Sequence, residues 1–162
     1  MVTMITFDVK FLEIDSMRIV YHVNYPRWFE RGRMDYLDKA GIPNGSIVRK
    51  GFYLPLSEIE CKYKSPAKLG DEITVTTQIV FISCVKIKFE YTVINKNTGM
   101  VLAVGHTVHA FTDKEIRPVN IEKAAPEVFS SLRNFAEKPS FLDDKKVAAT
   151  YRTEEDLKQI IQ

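Results

Sequence analysis

Five side chains that can take part in acid–base chemistry or hydrogen bonding fall within twelve positions near the start of the chain. They are Glu13, Asp15, Tyr21, His22 and Asn24. An aspartate can attack a carbonyl carbon directly or activate a water molecule that does so. A helix starting beside this segment would add free backbone amides that stabilise the resulting oxyanion. From spacing alone, however, Asp15 fits an ordinary turn residue equally well, and His22 fits a loop residue that is already hydrogen-bonded.

A strand and a helix must position this segment. Ahead of it every second residue is apolar, which is the period of a half-buried strand; these residues are Ile5, Phe7, Val9 and Phe11. Behind it, apolar residues recur at helical spacing from Tyr25 to Ala40. We predict that Asn24 is the N-cap, that Pro26 lies in the first turn and that Gly41 ends the helix.

Period-two patterns return after the helix and predict four further strands. The first covers 54–63, with Pro55 at its start or on an exposed edge, and the last covers 100–111. Each of the two strands between them is identified by the apolar residues that share one face: Ile73, Val75, Thr77, Ile79 and Phe81 in one, and Val85, Ile87, Phe89, Tyr91 and Val93 in the other. Short turns make these strands antiparallel neighbours, and the apolar or small residues on both faces of the last strand predict a central position.

The chain changes to a helical pattern after Arg117. We expect this tail to dock one face, formed by Ile121, Ala125, Val128, Phe129 and Leu132. Residues 138–149 are typical of a linker, and Thr153 to Asp156 predict the start of a short terminal helix. A single helix against an antiparallel sheet belongs to the α+β class.

Length and composition narrow the class of protein further. The 162 residues suit one domain, and a net charge of +2 without basic clusters does not indicate a nucleic-acid or membrane partner. The chain has no apolar run long enough for a membrane helix, and its N-terminus lacks the features of a signal peptide. Cys61 and Cys84 have no metal-ligand spacing; as free thiols they suit the cytoplasm, although the sequence leaves a disulfide between them open.

The run from Asp15 to Glu30 resembles a known signature. It reads Asp-x-x-x-Ile-Val-Tyr-His-x-Asn-Tyr-x-x-Trp-Phe-Glu and is similar to that of the 4-hydroxybenzoyl-CoA thioesterase family. The resemblance implies an α+β hotdog fold, an antiparallel sheet wrapped around one long central helix, over residues 1–122. Residues 123–162 would then be a helical C-terminal extension rather than an independent domain.

The same resemblance implies an activity: hydrolysis of an acyl-CoA thioester to a free carboxylate and coenzyme A, with no cofactor because coenzyme A arrives as part of the substrate. It also implies a homodimer or homotetramer, because such enzymes build their sites between subunits. Two alternatives stay open, an acyl carrier protein as the acyl donor and a non-catalytic acyl-CoA binding or sensing protein.

The family's functional residues map onto this chain as expectations. Asp15 would be the nucleophile or general base, and His22 would polarise the thioester carbonyl, in our interpretation through its backbone amide. The expected substrate-binding residues are Tyr21, Asn24 and Tyr25, which would shape the pocket or hold the loop, and Arg117, which would meet coenzyme A phosphates. Arg18 occupies a position where relatives commonly have glycine, a residue that tolerates positive φ.

Four other residues, on the first strand's end, the helix and the last strand, receive minor roles. We expect Glu13 to be a solvated charge at the end of the first strand. Glu30 is a weaker rival to Asp15, because some hotdog branches use a carboxylate in the helix. His106 and His109 should point to opposite faces of the last strand, so the sequence does not predict a metal site there.

Overall fold

The computed structural model describes residues 1–43 and 45–137, so the predicted linker at 138–149 and the helix expected from Thr153 lie outside the described residues. The strands are β1 Val2–Asp8, β2 Leu56–Tyr63, β3 Glu72–Ile82, β4 Lys86–Asn95 and β5 Val101–Ala110. The helices are α1 Asn24–Lys39, α2 Ser46–Arg49, α3 Ile121–Ala124 and α4 Pro126–Glu137, and a 3-10 turn spans Phe11–Glu13.

The five strands form one antiparallel sheet in the order β1-β3-β4-β5-β2. Strand β5 lies between β4 and β2, which confirms the central position predicted from its two apolar faces. Strand β2 is an edge strand, which agrees with Pro55 just before it, because proline cannot donate a ladder hydrogen bond.

Helix α1 packs its apolar face on the sheet. Its buried residues are Asn24, Tyr25, Trp28, Phe29, Gly32, Tyr36 and Leu37. The ring of Phe29 stacks on that of Tyr91 in β4, with centroids 4.5 Å apart and planes 6° from parallel. Phe29 also lies over Gly105 in β5, where an added Cβ would be 2.7 Å from the Phe29 ring. The aromatic residues at helical spacing thus form the interface between α1 and the sheet. This interface fixes the N-terminal end of α1, where the site loop joins the helix.

The two short helices after β5 also bury their apolar residues. Ile121, Ala125, Val128, Phe129 and Leu132 are all at most 8% exposed, which confirms the predicted docking face. The Tyr36 and Phe135 rings meet edge to face, with centroids 5.0 Å apart. Within residues 1–43 and 45–137, no helix has the length and apolar character needed to cross a membrane.

Phe81 and Phe11 do not lie on the buried strand faces that the alternating pattern predicted for them. A register shift between Ile79 and Phe81 interrupts the pairing of β3 with β4, and Phe81 is 47% exposed. An extra residue in one strand inverts the faces that follow it. Strand β1 ends at Asp8, so Phe11 belongs to the 3-10 turn and is 74% exposed.

Candidate active site

Asp15 lies in a tight hairpin between β1 and α1. Ile14 and Val20 form an antiparallel bridge at its base. Inside it, the Asp15 N–H donates to the Ile19 carbonyl at 2.8 Å, and the carboxylate Oδ1 accepts from the Met17 N–H at 2.8 Å. The side chain is half-buried, and its Oδ2 accepts no hydrogen bond from any residue that the structure describes. One carboxylate oxygen therefore fixes the loop while the other is available for chemistry.

Arg18 adopts the backbone conformation that glycine favours. Its φ is 62°, in the left-handed region. Its N–H donates to the Asp15 carbonyl at 3.0 Å, which closes the turn. The hairpin thus has the positive φ that a glycine would supply, with arginine carrying the strain of that conformation.

The helix entrance presents free backbone amides. The Tyr21 carbonyl accepts from the Asn24 N–H at 2.9 Å and from Asn24 Nδ2 at 3.1 Å. Because the peptide bond is trans, the His22 N–H points away from that carbonyl. The N–H groups of His22 and Val23 have no acceptor among the described residues. They lie at the positive end of a sixteen-residue helix, where a developing oxyanion would be stabilised.

Asn24 and Tyr25 are buried and hold this loop from the helix side. Asn24 Nδ2 also donates to the Glu13 carbonyl at 3.1 Å, so both of its amide hydrogens are used. The prediction that Asn24 is the N-cap was wrong: Val23 is the N-cap without a side-chain bond, and the Asn24 side chain reaches backwards along the chain. The Tyr25 hydroxyl accepts from the Ala67 N–H at 3.2 Å, and burial raises the pKa of Tyr25.

The prediction that Glu13 is a solvated charge was also wrong. Its Oε1 accepts from the Trp28 indole N–H at 2.9 Å, and its Oε2 accepts from the Lys10 N–H at 2.8 Å. Trp28 is 1% exposed, so its indole donor needs an acceptor inside the protein. The sequence gives no sign of this pairing, because the two residues are fifteen positions apart in different elements.

Tyr63, at the end of β2, is a contact of the site that the sequence did not reveal. Its hydroxyl donates to the His22 carbonyl at 3.3 Å, and its ring meets that of Tyr25 edge to face at 5.1 Å. Partial burial raises the pKa of Tyr63 to about 12, so the hydroxyl stays protonated as a donor. Period-two spacing identified Tyr63 only as a strand residue.

Arg117 and Glu30 are not brought to the Asp15 hairpin by any contact among the described residues. Arg117 is 71% exposed and pairs with Asp113 at 2.8 Å and with Glu115 at 3.0 Å. The Glu30 side chain is 63% exposed, and its only ion pair in the described part of the chain is with Arg33 at 3.7 Å. Tyr21 is exposed beside His22, with ring centroids 4.6 Å apart.

A second polar group lies between α1 and the sheet. His109 Nε2 is 2.9 Å from Arg33 and 3.0 Å from Thr107 Oγ1, which is 2.7 Å from the Tyr91 hydroxyl. Arginine only donates and the Leu54 carbonyl, 3.1 Å from Nδ1, only accepts, so the ring is neutral with its proton on Nδ1. Burial, aided by the Arg33 charge, lowers the pKa of His109 to about 4.

The other strand histidine faces away from this network. His106 Nε2 is 2.7 Å from Glu58, on the opposite sheet face from His109, which confirms the predicted orientations. Residues 1–43 and 45–137 contain no group of three or more side chains that could hold a metal ion, and Cys61 and Cys84 are free thiols.

The fold and site define an α+β protein: a five-stranded antiparallel sheet with α1 packed against it and a carboxylate hairpin at the helix N-terminus. Fold and sequence agree on the family. The model of the thioesterase-like superfamily matches residues 9–153, and the chain belongs to that superfamily, whose members have the hotdog fold.

Similar proteins give the same result. The chain is 31% identical over 121 residues to the putative acyl-CoA thioesterase YneP of Bacillus subtilis strain 168, covering 74% of this chain and 87% of that protein. It is 25% identical over 125 residues to the chloroplastic acyl-acyl carrier protein thioesterase ATL3 of Arabidopsis thaliana, covering 77% of this chain and 66% of that protein. The crystal structure of the hypothetical protein TT1821 from Thermus thermophilus is similar with a TM-score of 0.76 and 25% identity, covering 85% of this chain and 100% of that chain.

Proposed function

We propose that this thioester hydrolase acts on acyl-CoA, releasing a free carboxylate and coenzyme A, with Asp15 as the acidic catalytic residue. The observation that carries the proposal is that one closed loop holds both a free carboxylate oxygen and a free backbone N–H. Among residues 1–43 and 45–137, nothing donates to the second carboxylate oxygen of Asp15 and nothing accepts from the His22 N–H at the start of α1. Hydrogen bonds from Tyr21 and Asn24 to the Glu13 carbonyl draw the two ends of the loop together.

These two groups fit the two halves of thioester hydrolysis. The thioester oxygen would accept from the His22 N–H, which stabilises the charge as the carbonyl carbon is attacked. Asp15 would either remove a proton from the attacking water or form an acyl-enzyme anhydride that water then opens. Over a full cycle of either route one water molecule is consumed and the C–S bond breaks; of the two protons of that water, one ends on the thiol of coenzyme A and the other is released as the acyl product ionises to a carboxylate. Neither route needs a cofactor, because coenzyme A belongs to the substrate.

We assign the remaining predicted site residues as follows. Exposed Tyr21 lies beside His22 and can contact the acyl or pantetheine portion of the substrate. Asn24 and Tyr25 hold the loop, since their polar atoms are already engaged with protein groups. Arg117 would bind a coenzyme A phosphate by exchanging its exposed ion pairs with Asp113 and Glu115 for the phosphate oxygens.

Exposed apolar side chains around the hairpin support assembly into a homodimer or homotetramer. Phe11, Leu12 and Met17 are 74%, 92% and 70% exposed. Edge strand β2, whose last residue Tyr63 contacts His22, exposes Leu56 and Ile59, and no described strand pairs with its outer side. A second copy that covered these residues would bury apolar surface close to Asp15.

The proposal is tested by measuring free thiol released from a panel of acyl-CoAs with short, long and aromatic acyl groups. Turnover of at least one acyl-CoA supports it, whereas saturable binding across the panel without turnover would establish the non-catalytic alternative. The same acyl group presented on acyl carrier protein decides the donor. A higher kcat/KM with the acyl carrier protein would show that this protein, rather than coenzyme A, is the acyl donor. The similarity to a relative named as an acyl-acyl carrier protein thioesterase is the reason for including this comparison.

A further inference from the structure

Glu13 is the point where the hairpin that holds Asp15 is joined to helix α1. Glu13 accepts four hydrogen bonds. The carboxylate accepts from Lys10 N–H and Trp28 Nε1–H, and the carbonyl accepts from Tyr21 N–H at 2.8 Å and from Asn24 Nδ2. The donors come from the residue just before the 3-10 turn, from the far end of the loop and from the helix.

The helix partner of Glu13 is rigidly held. The Trp28 ring meets Phe7 at 5.5 Å and Tyr25 at 4.8 Å between ring centroids, and it is 1% exposed. A hydrogen bond from a fixed indole to a charged carboxylate is stronger than one between neutral groups. Glu13 is therefore attached to the core of the protein, although it sits only two residues before Asp15.

At the base of the hairpin Val20 is buried in the hydrophobic core and Ile14 packs against that core, whereas the residues between them bond mainly to one another. The bonds of Asp15 run to Met17, Arg18 and Ile19, all within the same loop. Beyond Glu13, the backbone of the hairpin is tied to the body of the protein by Val20 N–H, which donates to the Ala67 carbonyl at 2.9 Å. The direction in which the hairpin carries Asp15 is thus set mainly at its base.

We infer that Glu13 is a positioning residue for the reaction: its carboxylate, held by Trp28, fixes the separation between the Asp15 carboxylate and the His22 amide. This inference rests on the proposed function. An error of about 1 Å in such a separation can reduce the rate about 100-fold. Glu13 itself touches no reacting atom, because both of its carboxylate oxygens are occupied by protein donors.

The test compares Glu13→Gln, Trp28→Phe and the double variant with the wild-type protein, using Glu122→Gln as a control at an exposed glutamate. A glutamine oxygen can satisfy only one of the two donors, and its NH2 group faces the other. All proteins are assayed at a temperature well below the melting temperature of each. We expect kcat to fall about 10- to 100-fold in each single variant, while KM stays within about threefold of the wild-type value. The double variant should be no slower than the slower single variant, since both changes break the same link.

Three outcomes would overturn the inference. A wild-type kcat in Glu13→Gln with only a lower melting temperature would make the residue purely structural. Multiplying effects in the double variant would show that Glu13 does not act through Trp28. Loss of the acidic limb of the pH–kcat profile in Glu13→Gln would make Glu13 the base instead. If Glu13→Gln does not fold, Trp28→Phe alone decides by its kcat.

Asp15→Asn, measured alongside, separates this inference from the proposed function. Full turnover in Asp15→Asn overturns the catalytic assignment whatever Glu13→Gln does. Lost turnover in Asp15→Asn with a wild-type kcat in Glu13→Gln overturns only the positioning role.

Discussion

Acid should destabilise this protein through one buried histidine, His109. The ring is 1% exposed and is held neutral between Arg33 on α1 and the Leu54 carbonyl ahead of β2. Thr107 and Tyr91 complete its polar surroundings, and the Phe89 ring packs on it edge to face at 6.0 Å. A second proton, on Nε2, would turn the acceptor of the Arg33 bond into a donor beside a positive charge.

The size and sign of the effect follow from the pKa of His109. Burial lowers it from 6.5 to about 4, which corresponds to about 3 kcal/mol. The unfolded chain binds the proton below about pH 6.5 and the folded protein resists it until about pH 4. The contribution of His109 to the free energy of unfolding is therefore fully present above the pKa that the histidine has in the unfolded chain. It decreases as the pH falls towards the pKa that the histidine has in the folded protein. Between about pH 7 and pH 5 the free energy of unfolding should fall by about 2 kcal/mol from this residue alone.

Urea unfolding at several pH values measures this decrease, with the protein concentration held constant because assembly would also change the apparent stability. The matched variant is His109→Asn, whose amide can donate to Leu54 or accept from Arg33 but does not titrate. We expect it to be less stable at about pH 7 and to lose about 2 kcal/mol less than the wild-type protein by pH 5. The carboxylates titrate in both proteins and cancel in the difference. Parallel pH curves for the two proteins would refute this account of His109.

Two further predictions concern backbone geometry. Gly105→Ala should lower the free energy of unfolding by about 1–3 kcal/mol, because a Cβ would lie 2.7 Å from the Phe29 ring and also collide with the Glu60 carbonyl oxygen; an unchanged melting temperature would contradict that packing. Arg18→Gly should leave kcat within about twofold and raise the free energy of unfolding by up to about 1 kcal/mol, because glycine adopts the φ of 62° without strain. A large fall in kcat would instead show that the Arg18 side chain takes part in the reaction.

The sequence predicted the elements around the site because their signals are local. Alternation located all five strands, and helical spacing located α1 between residues that the structure confirms to within a turn. The interior position of β5 followed from its two apolar faces. Alternation failed at Phe81 because the register shift depends on how β3 pairs with β4, which is a property of two strands rather than one.

The contacts that hold the loop could not be predicted, because they join residues that are distant in sequence. Glu13 was assigned to solvent from its place at a strand end, but its partner Trp28 belongs to another element. Tyr63 reaches the His22 carbonyl from a strand forty-one residues away. The two strand histidines were assigned to opposite faces correctly, yet the Arg33 partner of His109 became visible only when α1 was packed on the sheet.

The central claim is that the Asp15 carboxylate acts on the thioester, and Asp15→Asn tests it most directly. Asparagine keeps an oxygen that can accept the Met17 N–H, which Asp15 Oδ1 binds at 2.8 Å, so the hairpin should keep its shape while losing the charge. With an acyl-CoA that the wild-type protein hydrolyses, we expect kcat to fall at least about 100-fold while the Kd for that acyl-CoA and the melting temperature stay close to wild type. The control is Asp8→Asn, at the exposed end of β1, which should retain full turnover. Near-normal hydrolysis by Asp15→Asn would contradict the account.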